Sequence, residues 1–403
     1  MNYINYLKEN GTKTFDELPL TEVDIAIINE LGYLPFEQGD GLDLDFSQPI
    51  ILSQIYQEHR QKIEAIVPDF LATKARLELL LEVCQTKRFI TLSLSHYTND
   101  ISHEYEKQFA AMVFSLPEIH HQQIVYRGTD DSIIGWKEDF QMTYMREIPA
   151  QRSAKAYLQM VLPSLSGRVI LSGHSKGGNL AVYAGASISH DLQDKISLIY
   201  MLDAPGLHKE VLSSPSYKAI RSKIIALRPK ESLVGILMES DVECKIIESQ
   251  ARGISQHAVE TWEIEGDVFQ TAEQATEMSL ICEKIFKEWN QTLTRQELKL
   301  LVDTVFDFFL DAGVDSLNDF LQDGRTTFSK LLSANSNLDP KRREVLVRSA
   351  NLLLTLYARE WQEKIRQDRP VFNLPITFPR FPLLRQEKDV DESQSESEKK
   401  SDS

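Results

Sequence analysis

At 403 residues, with 42% hydrophobic, 26% charged and 9% aromatic residues, the chain has the composition of an ordinary globular protein long enough for one large domain with attachments. Its formal net charge of -16, from 44 basic and 60 acidic side chains, argues against nucleic acid and against simple attraction to anionic lipid, since both need clustered Lys and Arg. Three widely spaced cysteines, Cys84, Cys244 and Cys282, fit neither a disulfide framework nor a zinc site, and they imply a reducing compartment.

The N-terminus has no basic stretch followed by an apolar one, and no window approaches about 18 uninterrupted apolar residues, so the expected location is the cytoplasm, with peripheral membrane contact left open. Residues 1–95 read as a helical segment packed on the catalytic domain. Apolar residues fall at helical spacing over Glu22–Leu31 and again over Ala75–Val83. Between them Asp40, Asp43 and Asp45 cluster around Gly41. Leu42, Leu44 and Phe46 interrupt the pattern of a calcium loop, so an acidic turn is expected and no metal site.

Residues 96–269 carry the catalytic core. Phe109–Leu116 and Gln122–Arg127 read as strands flanking a short turn, and Ala154–Leu165 as a helix. Val169–Leu171, Ile196–Leu202 and Ser222–Leu227 are buried-strand candidates separated by helical stretches, which predicts an α/β fold with a mainly parallel sheet. Ligands of such sheets gather at the carboxyl ends of the strands. Residues 270–386 read as a C-terminal helical region, with helices at Gln296–Ala312 and Arg342–Ile365 and an extended strap through Pro370–Pro382. Residues 387–403, seven acids and three lysines among serines, form a disordered acidic tail.

The chemistry centres on Gly173-His174-Ser175-Lys176-Gly177. A serine hydroxyl becomes a competent nucleophile when a sharp turn exposes it beside a base, and glycines two residues to either side make that turn between strand and helix sterically feasible. The run Val169–Leu171 before it and the helical Gly178–Ala184 after it supply the context, so an α/β-hydrolase-type fold with Ser175 as nucleophile is predicted. In this fold the acid and the histidine follow the serine in the chain. Of His190, His208 and His257, the last stands on a loop before the strand-like Thr261–Ile264 and is the expected base. Asp203, after Ile196–Leu202, is the favoured acid and Glu231 the alternative. The oxyanion hole would use the Lys176 N–H and that of Thr129, in the turn after Val125–Arg127. Arg127 and Asp139 are expected to pair and hold that loop.

Together, Tyr126-Arg127-Gly128-Thr129, Gly135-Trp136-Lys137-Glu138-Asp139-Phe140 and Gly173-His174-Ser175-Lys176-Gly177-Gly178 resemble the class 3, fungal-type lipases. With Phe15–Pro19, Glu106–Met112 and Asp203-Ala204-Pro205-Gly206, the chain is more closely similar to an uncharacterised lipase-like α/β-hydrolase family of Gram-positive bacteria. The resemblance runs to about Phe269 and implies a Ser-acid-His triad, with Ser175 and His257 as nucleophile and base and Thr129 as oxyanion residue. It departs at the acid: Ser232 aligns with the lipase aspartate, leaving Asp203 or a near neighbour to serve. The function expected is hydrolysis of a small-molecule or lipid ester by a serine esterase or lipase-like enzyme without a cofactor. A non-catalytic module binding lipid or protein, or an acyltransferase with the same triad, is the alternative.

Overall fold

The computed structural model describes residues 1–34, 36, 42, 44–64, 73–102, 104–130, 133–311 and 339–367. Asp40 and Asp43, the strap Pro370–Pro382 and the tail 387–403 lie outside them. The chain forms two compact units, Met1–Glu360 and Trp361–Ser403, and the described residues of the second, 361–367, are helical.

Among the described residues eight strands form one sheet in chain order: β1 (Ile50–Ile51), β2 (Ser93–Ser102), β3 (Lys107–Leu116), β4 (His121–Tyr126), β5 (Val169–His174), β6 (Ile196–Leu202), β7 (Ile224–Pro229) and β8 (Cys244–Ile247). Pairing is antiparallel from β1 to β4 and parallel from β4 to β8. This is the mainly parallel α/β architecture expected. The β3–β4 hairpin turns through a 3-10 segment at Pro117–Ile119. A second, two-stranded sheet joins β9 (Ile264–Glu265) to β10 (Val268–Phe269).

Helices cover both faces. On one side lie α1 (Tyr3–Asn10), α2 (Glu22–Leu31), α3 (Leu52–Glu64) and α4 (Thr73–Gln85), whose apolar residues share a core with Met112, Phe114, Val125 and Leu202. After α5 (Ile133–Gln141), α6 (Pro149–Val161) and α7 (Lys176–Ala186) cover the other face, over Val113, Ile124, Leu171 and Met201. Neighbours in sequence such as Val113 and Phe114 enter opposite cores because strand side chains alternate across the sheet. Short helices follow as α8 (His190–Gln193), α9 (Lys209–Leu212) and α10 (Pro215–Ile220). Then come α11 (Glu277–Thr292), α12 (Arg295–Asp311) and α13 (Pro340–Gln367). Leu298, Val302 and Phe306 of α12 pack with Ile133 of α5 in a separate apolar cluster.

Two differences from the sequence expectations have local causes. Helix α6 begins at Pro149 rather than Ala154, since proline fits a first helical turn, where its missing N–H is not needed. Most of Thr261–Ile264 is not strand: Val259–Thr261 is a 3-10 turn, and Trp262 just after it is held in the core by its indole N–H donating to Gln256 O at 2.8 Å.

Candidate active site

Because β4, β5, β6 and β7 run parallel, their carboxyl ends emerge side by side. Tyr126 is in register with Gly173, His174 with Leu202, and Leu202 with Leu227. The residues that follow these strands, Gly128-Thr129, Ser175, Asp203 and Glu231, therefore arrive along one rim.

Ser175 stands between β5 and α7 at φ 57 and ψ -134, a backbone conformation costing on the order of 1–3 kcal/mol for a residue with a side chain. Its N–H donates to Leu202 O at 2.9 Å, and its carbonyl accepts from Gly178 N at 3.0 Å, so strand and helix clamp the turn. A side chain on Gly173 would start 2.0 Å from the backbone of Gly177, and one on Gly177 would start 2.0 Å from Tyr126 O. Both glycines are required by close backbone approach.

Asp203, with φ 41 and no exposed surface, follows β6. Its Oδ2 lies 2.7 Å from His257 Nδ1. Its Oδ1 accepts from the Ser232 hydroxyl at 2.5 Å and from Gly235 N at 3.1 Å. Ser232, in the loop after β7, thus donates to the carboxylate that follows β6. Glu231 lies elsewhere: its carboxylate accepts from Gly253 N, and its own N–H donates to Gln256 Oε1 at 3.0 Å. It braces the loop bearing His257 rather than touching the imidazole.

His257 ends the 3-10 turn Gly253–His257 and stays partly exposed, while its neighbour Gln256 is buried and donates to Ala251 O at 3.0 Å. The ring of His257 lies against that of His174, centroids 4.4 Å apart. His174 Nε2 sits 2.8 Å from His257 O. Burial, then the charges of His257 and Arg76, hold His174 well below the usual histidine range. The other two histidines considered lie apart: His190 is exposed on α8, and His208 Nε2 donates to Met145 O at 2.7 Å.

On the β4 side, Thr129 is buried and its hydroxyl donates to Asp139 Oδ2 at 2.5 Å. Burial raises the Asp139 carboxyl to about 6, against the pull of Lys176 and Thr129. The expected Arg127–Asp139 pair does not form. Arg127, just past the end of β4, donates instead to Asn99 Oδ1 at 2.6 Å on β2. Lys176 opens α7, where a first-turn N–H has no partner within the helix. Its side chain is fully buried and donates to Glu138 Oε2 at 2.9 Å and to Gln108 Oε1 at 2.8 Å. Glu138 also accepts from Ala150 N at 2.8 Å and Gln108 N at 3.1 Å, which ties α5, α6, α7 and β3 together.

A cavity of about 280 Å³ opens on Ser175 and Asp139. Its wall is largely apolar, with Trp136 and Phe140 from α5, Val234 and Leu237 from the loop after β7, and Phe286 from α11. Within 133–148, Ile148 is fully buried and Ile133 nearly so, while Phe140 is half exposed beside the cavity.

Sequence reasoning missed three contributors here. Glu138 lies in the Gly135–Phe140 motif with no local sign of its role, Ser232 has none beyond its place in the lipase-like pattern, and Tyr33, whose hydroxyl touches both Gly128 N and His174, carries no sequence signal at all.

Residues 83–307, more than half of the chain, match the model of the Mbeg1-like family. No curated protein matches the chain in sequence. Among solved structures it is similar to M37 lipase (14% identity, TM-score 0.31, over 42% of this chain and 65% of that one). It is similar also to the Lip2 lipase of Yarrowia lipolytica (12%, 0.31, over 47% and 76%) and to a fungal lipase in an inhibitor complex (15%, 0.32, over 50% and 78%). The chain thus spans just under two thirds of the length of M37 lipase.

Proposed function

From the premise that the chain belongs to the Mbeg1-like family, we propose that it is a serine hydrolase that cleaves a carboxylic ester through an acyl-enzyme. The observation that carries this reading is the 2.7 Å contact between His257 Nδ1 and Asp203 Oδ2, made at the strand rim where the strained Ser175 turn also lies. A carboxylate can only accept, so Nδ1 bears the hydrogen and a neutral His257 keeps its lone pair on Nε2 for a serine proton.

In the first half-reaction the Ser175 oxygen bonds to the ester carbonyl carbon as its proton passes to His257 Nε2. The oxyanion then meets the N–H groups of Lys176 and Thr129, the former at the positive end of α7. Collapse breaks the ester bond and the imidazolium returns its proton to the leaving alcohol. Water, passing its proton to His257, then attacks the acyl carbon; collapse breaks the bond to the Ser175 oxygen, which takes the proton back from His257 as the carboxylic acid leaves. Asp203 stabilises the transient imidazolium in both halves. No step calls for a metal or an organic cofactor.

The apolar wall around Ser175 favours an apolar acyl group, and a lipid ester is the substrate class proposed. In this reading residues 96–269 carry the triad, and the helical region from 270 contributes one wall of the acyl cavity. A fluorophosphonate probe tests it. Wild type should label and Ser175→Ala should not; a wild type that fails to label, or a variant that labels equally well, would overturn the assignment.

A further inference from the structure

Two residues of the N-terminal segment, Tyr33 and Arg76, lie before the 83–307 span matched by the family model, and Tyr33 reaches the site. Tyr33, one residue after the cap of α2, places its hydroxyl 3.2 Å from Gly128 N and 3.1 Å from both Nδ1 and O of His174. Gly128 is a glycine for this reason: a Cβ there would lie 2.3 Å from the Tyr33 hydroxyl and 2.5 Å from His174 O. The Tyr33 ring is fixed in turn by Arg76 of α4, whose guanidinium lies 3.8 Å from the ring centroid and pairs with Glu30 at 3.0 Å.

Directionality makes these contacts a single chain of hydrogen bonds. His257 O can only accept, so His174 Nε2 carries its hydrogen. A neutral His174 then offers a lone pair on Nδ1, and the single Tyr33 O–H hydrogen is shared between that nitrogen and the His174 carbonyl oxygen, both 3.1 Å away. That leaves the phenol oxygen to accept from Gly128 N–H. The groups facing His174 are Glu30, 3.7 Å from Nδ1, with Tyr33, Arg76, His257 and Asp203. Its burial, with only 4% of its surface exposed, favours the neutral ring.

We propose that Tyr33 is a positioning residue for the hydrolytic site, its hydroxyl locking the oxyanion loop at Gly128 to His174 and, through His174, to the backbone of the base His257. The proposal rests on the reading of Ser175 and His257 as nucleophile and base. Tyr33 touches no reacting atom. It holds the loop before Thr129 and the residue before Ser175 in one frame, so that the two halves of the oxyanion hole keep their spacing.

The test combines kinetics with nitrogen-15 histidine spectra of the full chain. Tyr33→Phe keeps the ring on Arg76 and removes only the hydroxyl. It should lower kcat for an ester, and the rate of fluorophosphonate labelling, by roughly 10- to 100-fold while KM changes less than about twofold. The wild-type spectrum, with the His174 signal identified by its loss in His174→Asn, should show His174 protonated at Nε2 alone. A His174 protonated at Nδ1 would overturn the proposal, with no need for a folded Tyr33 variant. A wild type that labels beside a Tyr33→Phe chain that labels as fast would overturn this role and leave the hydrolase reading standing. A wild type that does not label removes both.

Discussion

Asp203 and His257, 54 positions apart in the chain, meet at 2.7 Å between Oδ2 and Nδ1, and the other carboxylate oxygen of Asp203 is taken by Ser232 and Gly235. The arrangement ranks three substitutions. Asp203→Asn should lower kcat by about 10⁴-fold, because an amide cannot enforce the Nδ1–H tautomer. Ser232→Ala removes one of two donors that aim the carboxylate and should cost about tenfold. Glu231→Gln should leave kcat within about threefold, since Glu231 contacts the loop backbone and not the imidazole. Ester kinetics on the three purified variants decide the order, and a Glu231→Gln loss matching that of Asp203→Asn would return the acid to Glu231.

The Ser175 backbone strain makes a prediction of opposite sign for stability. Ser175→Gly should abolish labelling yet raise stability by about 1 kcal/mol, as glycine accepts φ 57 without strain and gives back only part of the gain through its freer unfolded chain. Urea unfolding of the variant beside wild type measures this. A less stable glycine variant would mean that the turn is relaxed.

A carboxyl whose pKa rises on folding, as that of Asp139 does from 3.8 to about 6, binds its proton more tightly in the folded state. Its contribution to stability is full below about pH 4 and is lost as pH climbs through 6. Wild type should therefore lose on the order of 2 kcal/mol relative to Asp139→Asn between these values. Melting of both proteins across the window tests the sign, and a difference that does not change with pH refutes it.

The fully buried Lys176–Glu138 pair should be far costlier to break than to replace. Lys176→Met or Glu138→Gln alone leaves a buried partner uncompensated and should destabilise by about 3–5 kcal/mol, whereas the double variant should recover part of that loss. A double-mutant cycle in urea gives the coupling directly, and additive losses would show that the pair is not a unit.

If the cavity at Ser175 takes the acyl chain, filling it should discriminate by length. Leu237→Trp should reduce kcat/KM for a long-chain ester by roughly 10- to 200-fold and leave an acetyl ester nearly unchanged. Equal losses on both esters would place the acyl group elsewhere.

The elements legible in the sequence were those whose information is local. Ile196–Leu202 forms β6 over the same residues, and the period of Glu22–Leu31 gives α2, because burial on one face imprints itself on residues within a few positions. Strands β2 and β8 were not foreseen: His96, Tyr97 and Asn99 in the one and Lys245 in the other interrupt the apolar alternation, and edge or half-exposed strands tolerate such residues. The Ser175 turn was visible because its glycines answer steric demands between near neighbours in space that are also near in sequence.

What the sequence by itself determined was the chemistry on offer: a serine on a glycine-flanked turn after a strand, one histidine on a late loop, and two carboxylates competing for it. Which carboxylate meets the imidazole was decided by tertiary structure alone, since parallel pairing of β5, β6 and β7 sets Asp203 beside the Ser175 turn while Glu231 is held by the backbone of Gly253. The same holds for Tyr33, 141 residues before His174 in partnership with it. A hydrogen bond depends on distance and direction in space, and no periodicity along the chain records a contact of that range.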